Sequence, residues 1–106
     1  MNKKRNTILI IDDEPEIRGL MQEILTEEGY QTFAVESAKE AREIIANNPP
    51  DIVYLDIWMP DMDGVALLKE WSDANQLSFP VIMISGHATI EIAVEATRLG
   101  AFDFIE

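Results

Sequence analysis

A regular alternation of short apolar runs with stretches of helical spacing most limits how this chain can fold. Apolar runs of about five residues, bounded by turn residues, are typical of buried strands. The first stretch between two such runs has apolar residues at intervals of three and four, which places them on one face of a helix. They are Ile17, Leu20, Met21, Ile24 and Leu25. Strands are predicted at about Thr7–Ile11, Gln31–Val35, Ile52–Asp56, Pro80–Ile84 and Phe102–Ile105.

Residues typical of helix ends mark the predicted helices. Pro15 falls in the first turn of the first helix, where a missing N–H costs little, and Gly29 ends that helix. Ser37 with Glu40 forms a capping box that opens the second helix. Asn and Pro residues at 47–50 stop it. The third helix is predicted over about Val65–Ser72, and the fourth from about Thr89 to Gly100.

This order of elements predicts an α/β protein with one parallel sheet and right-handed crossover connections. The second strand, which is short and more polar, is expected near an edge of the sheet. Since four helices serve five strands, one face of the sheet should be poorly covered near the last strand. The sequence stops directly after that strand, and we therefore expect the natural chain to continue past Glu106.

The composition fits a single globular domain and excludes several classes of function. The chain has 106 residues, a formal net charge of −12 and no cysteine. This acidity disfavours nonspecific binding to nucleic acid or to an anionic membrane. The lack of cysteine excludes disulfides, thiol catalysis and cysteine-based zinc sites. No apolar run approaches the roughly 20 residues of a membrane span, and no signal-peptide pattern opens the chain, so we expect a cytoplasmic location.

Acidic residues follow two of the predicted strands. Asp12 and Asp13 close the first apolar run, and Asp56 closes the third. The carboxyl ends of parallel strands form the binding crevice of an open sheet, so these side chains should meet. Three adjacent carboxylates repel one another unless a cation lies between them, and hard oxygen ligands suit Mg²⁺. A divalent ion beside an aspartate nucleophile indicates phosphoryl transfer.

Four motifs in one order resemble bacterial response-regulator receiver domains. They are the pair Asp12-Asp13, the run Leu55–Gly64, the strand end Ile84-Ser85-Gly86 and the segment Gly100–Phe104. The resemblance covers nearly the whole chain, from about Thr7 to Glu106. It implies a flavodoxin-like, doubly wound sheet of five parallel strands in the order 2-1-3-4-5.

The resemblance also implies roles for single residues. Asp56 would be the phosphoacceptor, receiving a phosphoryl group from the phosphohistidine of a sensor histidine kinase. Asp13, Asp56 and the main-chain carbonyl of Trp58 would bind Mg²⁺ or Mn²⁺ directly, and Asp12 would help through water. Ser85 would hydrogen-bond the phosphoryl group, and Phe104 would be the aromatic residue that switches with it.

Two residues near the expected phosphoryl position are candidates for controlling its lifetime. Trp58 lies two residues after Asp56, and its bulk would exclude attacking water. His87, the single histidine, lies two residues after Ser85 and would also influence hydrolysis, although a loop histidine is commonly just solvated. We therefore predict that Trp58 slows loss of the phosphoryl group.

The subgroup resemblance suggests what lies beside this domain. Residues 85–89 and 100–106 look most like receivers of the nitrogen-regulation group, which sit before an ATPase domain and a DNA-binding domain. We expect residues 1–6 to be a flexible tail and residues 7–106 to be a receiver. In the family a lysine and a final helix follow strand five, and neither is in this chain. The output would be transcriptional, without direct nucleic-acid or membrane binding by this domain.

Three other functions are open to the same fold. A phosphatase of the haloacid-dehalogenase type needs a second aspartate two positions after the nucleophile, where this chain has Trp58, so turnover of an outside substrate is not expected. A flavodoxin-like cofactor site needs a first loop rich in Ser, Thr and Gly, where this chain has Asp12-Asp13-Glu14. The third alternative is a non-phosphorylated interaction module, in which the exposed last strand favours a homodimer.

Overall fold

The computed structural model of the protein describes residues 6–84 and 90–105, without the side chains of Ile90, Ala93 and Phe104. Strands and helices alternate along the chain. They are β1 (Thr7–Ile11), α1 (Pro15–Glu27), β2 (Gln31–Val35), α2 (Ala38–Asn47), β3 (Ile52–Asp56), α3 (Gly64–Asp73), β4 (Val81–Ile84), α4 (Ile90–Arg98) and β5 (Asp103–Ile105).

The five strands form one parallel sheet in the order β2-β1-β3-β4-β5, which confirms the predicted fold class and order. β1 lies between β2 and β3, so Ile11 is opposite both Val35 and Leu55. Asp56 is opposite Ile84 in β4. Because all strands run the same way, the ends of β1 and β3 emerge at one edge of the sheet.

Most predicted element ends are confirmed, and the small differences have local causes. Pro15 opens α1, and Gly29 follows it with φ +98°, a conformation that favours glycine. Pro80 lies just outside β4, yet its carbonyl accepts from Val53 N at 3.0 Å, since proline can accept but not donate. α4 ends at Arg98 rather than Gly100, which has φ +111°. Thr89, its predicted start, lies outside the described residues.

One face of the sheet packs against α2, α3 and α4 and forms the main core. The aromatic part of this core is Trp71 of α3, 1% exposed, whose ring meets Phe79 edge-to-face at 5.6 Å. Trp71 is therefore a packing residue. The strands contribute alternate residues to the core, as expected for a sheet with one face turned toward it: Leu9, Ile11, Val53, Leu55, Val81 and Met83.

Within the described residues, α1 is the helix that covers the opposite face, and it covers one side of that face. Beneath α1, Ile8 and Ile10 are fully buried, whereas Tyr54 and Ile82 toward β4 are half-buried. This confirms the predicted poor cover near the last strand. The apolar stripe of α1 is less buried than its spacing predicted, because the described residues place no second helix beside it. Its outer members stay exposed: Ile17 (38%), Leu20 (58%) and Ile24 (50%). No helix in the described ranges is long and apolar enough to span a membrane.

Candidate functional site

Three carboxylates converge at the carboxyl edge of the sheet. Asp12 and Asp13 follow β1, and Asp56 is the last residue of β3. One oxygen from each side chain lies within 4.8 Å of the others. Asp12 is 2% exposed and Asp56 is 9% exposed, while Asp13 faces solvent. The predicted convergence of these residues is therefore confirmed.

Hydrogen bonds around Asp12 fix the loop between β1 and α1. The Asp12 N–H continues the sheet by donating to Val35 O at 3.1 Å. Its carboxylate Oδ1 accepts from Glu14 N at 2.9 Å, and its carbonyl accepts from Arg18 Nη1 at 2.8 Å. Asp13 does not cap α1: the capping position belongs to Glu14, which makes no side-chain capping bond. Asp13 therefore has no capping role in α1.

The loop after β3 holds Asp56 from the other side. Trp58 N donates to Asp56 Oδ1 at 3.3 Å. Ile57 N donates to Ile84 O at 3.2 Å, and Gly64 N donates to Ile57 O at 2.7 Å, which folds the loop back onto the strand end. A Cβ at position 64 would overlap the carbonyl of Asp56, so only glycine fits this close approach. Gly64 therefore has a structural role, which is to allow this close approach to Asp56.

Two aspartates farther along this loop cap two different helices. Asp63 Oδ1 accepts from Val65 N at 2.7 Å at the start of α3. Asp61 instead accepts from Ala38 N at 3.1 Å and Lys39 N at 3.2 Å, at the start of α2. These bonds hold the pKa of Asp61 below its usual range. The sequence alone does not reveal that Asp61 joins the β3–α3 loop to α2, because the two segments are more than 20 residues apart in the chain.

Burial and mutual repulsion make two carboxylates of this edge, those of Asp12 and Asp56, hard to ionise. Burial raises the pKa of Asp56 to about 7, the charge of Asp12 adds to this, and the Trp58 N–H opposes it. Burial also raises the pKa of Asp12, against the Glu14 N–H and the charge of Arg18. Without a cation, Asp56 is therefore only partly ionised near neutral pH.

The donor set fits a hard divalent cation. Three carboxylates supply oxygen ligands, and their shared repulsion is what a bound cation would relieve. Trp58, 49% exposed, stands two residues after Asp56, as predicted. Ser85 and His87 lie outside the described residues. Phe104 belongs to β5, but its side chain is not described. The roles predicted for these three residues stay predictions.

A second concave region is unrelated to this edge. It is a groove of about 510 Å³ between α2 and α3, with Arg42 and Glu70 paired at its rim and Trp71 and Phe79 in its wall. None of the three clustered aspartates lines it. The three clustered aspartates therefore belong to the sheet edge and not to this groove.

Comparison with known proteins gives the same family as the motifs. The model of the response regulator receiver domain matches residues 8–106. The nitrogen assimilation regulatory protein NtrX of Azorhizobium caulinodans is 46% identical over 101 residues, 93% of this chain and 22% of that protein. The DNA-binding transcriptional regulator NtrC of Escherichia coli is 34% identical over 102 residues, 96% of this chain and 22% of that protein.

A solved structure supports the same family assignment as these relatives. The crystal structure of the receiver domain of NtrX from Brucella abortus superposes with a TM-score of 0.85 at 46% identity, covering 93% of this chain and 83% of that one. The chain spans about a fifth of the length of the curated relatives it matches. The motifs, the strand order and the matched region agree, and the chain belongs to the response regulator receiver domain family, with its resemblance to the NtrC and NtrX group confirmed.

Proposed function

We propose that this domain accepts a phosphoryl group on Asp56 from the phosphohistidine of a sensor histidine kinase. The observation that supports this most strongly is the convergence of Asp12, Asp13 and Asp56 at the carboxyl edge of the sheet. Asp56 is the member best suited to be the nucleophile, because it ends a central strand and is held by Trp58 N. A receiver domain is a signalling module, and we expect no turnover of an outside substrate.

In the proposed transfer, a carboxylate oxygen of Asp56 forms the new bond to phosphorus. The phosphorus–nitrogen bond of phosphohistidine breaks, and its electron pair leaves with the imidazole ring. The attacking group must be ionised, and the raised pKa of Asp56 opposes this in the absence of a cation. Positioning and charge neutralisation account for most of the acceleration in phosphoryl transfer.

Mg²⁺ or Mn²⁺ would be held by Asp13, Asp56 and the main-chain carbonyl of Trp58, with Asp12 acting through water. When bound, the ion supplies positive charge against the carboxylates and the phosphoryl oxygens. The chain's own part is to bring the oxygen donors together: Asp12 and Asp13 through the β1–α1 loop, and Asp56 through the end of β3. Ser85 would then bind the phosphoryl group, and Phe104 would follow it as the switch residue.

The phosphorylated state would act on an output domain in the parent protein. The NtrC relative is named a DNA-binding transcriptional regulator, which supports a transcriptional output through DNA binding. An ATPase domain in the parent protein is proposed from the resemblance to the nitrogen-regulation group alone. In this proposal residues 7–106 form the receiver, residues 1–6 form a tail, and the domain works in the cytoplasm. Its net charge of −12 makes direct binding to DNA unfavourable.

Intact-mass measurement with a small phosphodonor tests this proposal. The protein is incubated with acetyl phosphate and Mg²⁺, beside Asp56→Asn and the control Asp73→Asn, which changes an exposed aspartate paired with Lys69 on α3. We expect one phosphoryl increment in wild type and Asp73→Asn and none in Asp56→Asn. An equal increment in all three proteins would contradict the assignment of Asp56.

Exposed apolar side chains favour a second candidate, an interaction module that forms a homodimer. Leu20 and Ile24 on α1 are 58% and 50% exposed, and Phe102 before β5 is 75% exposed. Sedimentation velocity at rising protein concentration, with Leu20→Glu beside the equally charged control Gln22→Glu, tests this candidate. Association lost only in Leu20→Glu would support it, and a monomer at every concentration would contradict it.

A further inference from the structure

Arg18 makes a contact that neither the phosphoacceptor nor the metal ligands explain. It lies in the first turns of α1, with its N–H bonded to Glu14 O at 3.0 Å, and its side chain turns back toward β1. Nη1 donates to the carbonyl oxygen of Asp12 at 2.8 Å across six residues of sequence. Arg18 is half-buried, so this bond is partly shielded from water.

The choice of partner is informative because several carboxylates are close in sequence. Asp12, Asp13 and Glu14 all precede α1, yet Arg18 forms no ion pair with any of them in the described parts of the chain. It binds a main-chain carbonyl in the turn between the strand and the helix. A guanidinium used only to neutralise charge would be expected to meet a carboxylate, where its bonds are strongest.

The hydrogen bond from Arg18 is one of three that hold Asp12 in place. The N–H of Asp12 is held by Val35, its Oδ1 by Glu14 and its carbonyl by Arg18. With three groups fixed, the direction of the Asp12 side chain and the start of residue 13 are both determined. Groups that orient metal ligands affect metal affinity strongly even though they do not touch the ion.

We propose that Arg18 is a positioning residue that holds the Asp12–Asp13 turn in the geometry needed to bind a divalent cation. This inference rests on the proposed Mg²⁺ site. It predicts that removing a positive charge near a cation site weakens cation binding, which is the opposite of what charge repulsion alone would give. If only charge mattered, removing Arg18 would strengthen Mg²⁺ binding; if position matters more, removing it weakens binding.

The test is a Mg²⁺ titration by calorimetry at constant ionic strength, on wild type and three variants. Arg18→Met keeps the aliphatic stem but loses both charge and donor, while Arg18→Lys keeps a charged donor. Arg98→Met is the matched control, because it removes the same charge at the end of α4, away from the carboxyl edge. Urea unfolding without Mg²⁺ is measured on each protein to separate loss of fold from loss of affinity.

We expect the Mg²⁺ dissociation constant to rise on the order of tenfold in Arg18→Met, to recover largely in Arg18→Lys and to stay within about twofold of wild type in Arg98→Met. Affinity in Arg18→Met equal to or tighter than wild type would overturn the inference. If Arg18→Met does not fold, Arg18→Gln takes its place with the same two outcomes. Failure of wild type itself to bind Mg²⁺ would instead refute the proposed metal site.

Discussion

The two tryptophans of this chain lie in two regions with opposite physical properties. Trp71 lies in the core between the sheet and α2–α4, with 1% of its surface exposed and Phe79 against its ring. Trp58 lies at the carboxyl edge, 49% exposed, beside three carboxylates within 4.8 Å of one another. The core gains stability from every contact. The edge holds like charges together, which opposes folding and is useful only for binding and chemistry.

Replacing each tryptophan with alanine tests this contrast most strongly. Trp71→Ala removes a large buried ring and should lower the free energy of unfolding by about 3–5 kcal/mol. Trp58→Ala should change it by less than about 0.5 kcal/mol, as for other exposed positions. Urea unfolding followed by circular dichroism measures both. Equal losses of unfolding free energy in the two variants would contradict this contrast between core and edge.

Two glycines give a smaller test of the same kind. Gly64→Ala would force a Cβ against the carbonyl of Asp56, and we expect a loss of about 1–3 kcal/mol because the backbone at the edge must shift. Gly19→Ala, in the exposed middle of α1 with no atom near the new Cβ, should instead stabilise the protein by about 0.5–1 kcal/mol. A Gly64→Ala variant that is more stable than wild type would show that the carboxyl edge is not tightly packed.

The charge at the edge should appear as a pH dependence of stability. In the folded state the pKa of Asp56 is about 7, above its value of 3.8 in the unfolded chain. The unfolded chain therefore releases this proton first as pH rises, and stability falls between about pH 4 and pH 7. Asp56→Asn lacks this loss and, with metal removed by EDTA, should be more stable than wild type at pH 8 by up to about 4 kcal/mol, which corresponds to the roughly three-unit difference in pKa.

The pH range supplies the control for that prediction. At pH 4.5 Asp56 is protonated in the folded protein, so the advantage of Asp56→Asn should shrink to about a quarter of its value at pH 8. An advantage of equal size at both pH values would point to packing rather than charge. Added Mg²⁺ should reverse the order at pH 8, because the ion binds the wild-type carboxylates better than the variant site.

The smallest expected effect concerns Trp58 and the lifetime of the phosphoryl group. If its exposed ring excludes water from Asp56, Trp58→Asn should speed hydrolysis by roughly two- to fivefold, a barrier change of about 1 kcal/mol or less. The decay of the phosphorylated mass after removal of acetyl phosphate measures this rate. Trp58→Phe, which keeps an aromatic ring, should stay near wild type. An unchanged rate in Trp58→Asn would refute the shielding role.

The strands and helices were predictable because their signals are local. The apolar runs, Pro15 and Gly29 located β1, α1 and β2 within a residue or two. The meeting of Asp12 and Asp56 followed from parallel topology alone, since strand ends share an edge. The order of the strands and the separate roles of the aspartates came instead from the family resemblance.

What the sequence did not reveal depends on contacts between distant segments. Asp61 caps α2 across more than 20 residues, and Arg18 binds the carbonyl of Asp12 rather than a neighbouring acid. The exposure of Leu20 and Ile24 was also missed, because helical spacing shows that a stripe exists but not what covers it. These features can be seen only once the elements are packed.

The most direct test of the account is to locate the phosphoryl group chemically. Protein treated with acetyl phosphate and Mg²⁺ is reduced with borohydride, which converts an acyl phosphate on aspartate to homoserine, and its peptides are sequenced by mass spectrometry. The account predicts homoserine at position 56 and unchanged residues at positions 12 and 13. Homoserine at position 12 or 13, with Asp56 unmodified, would contradict it.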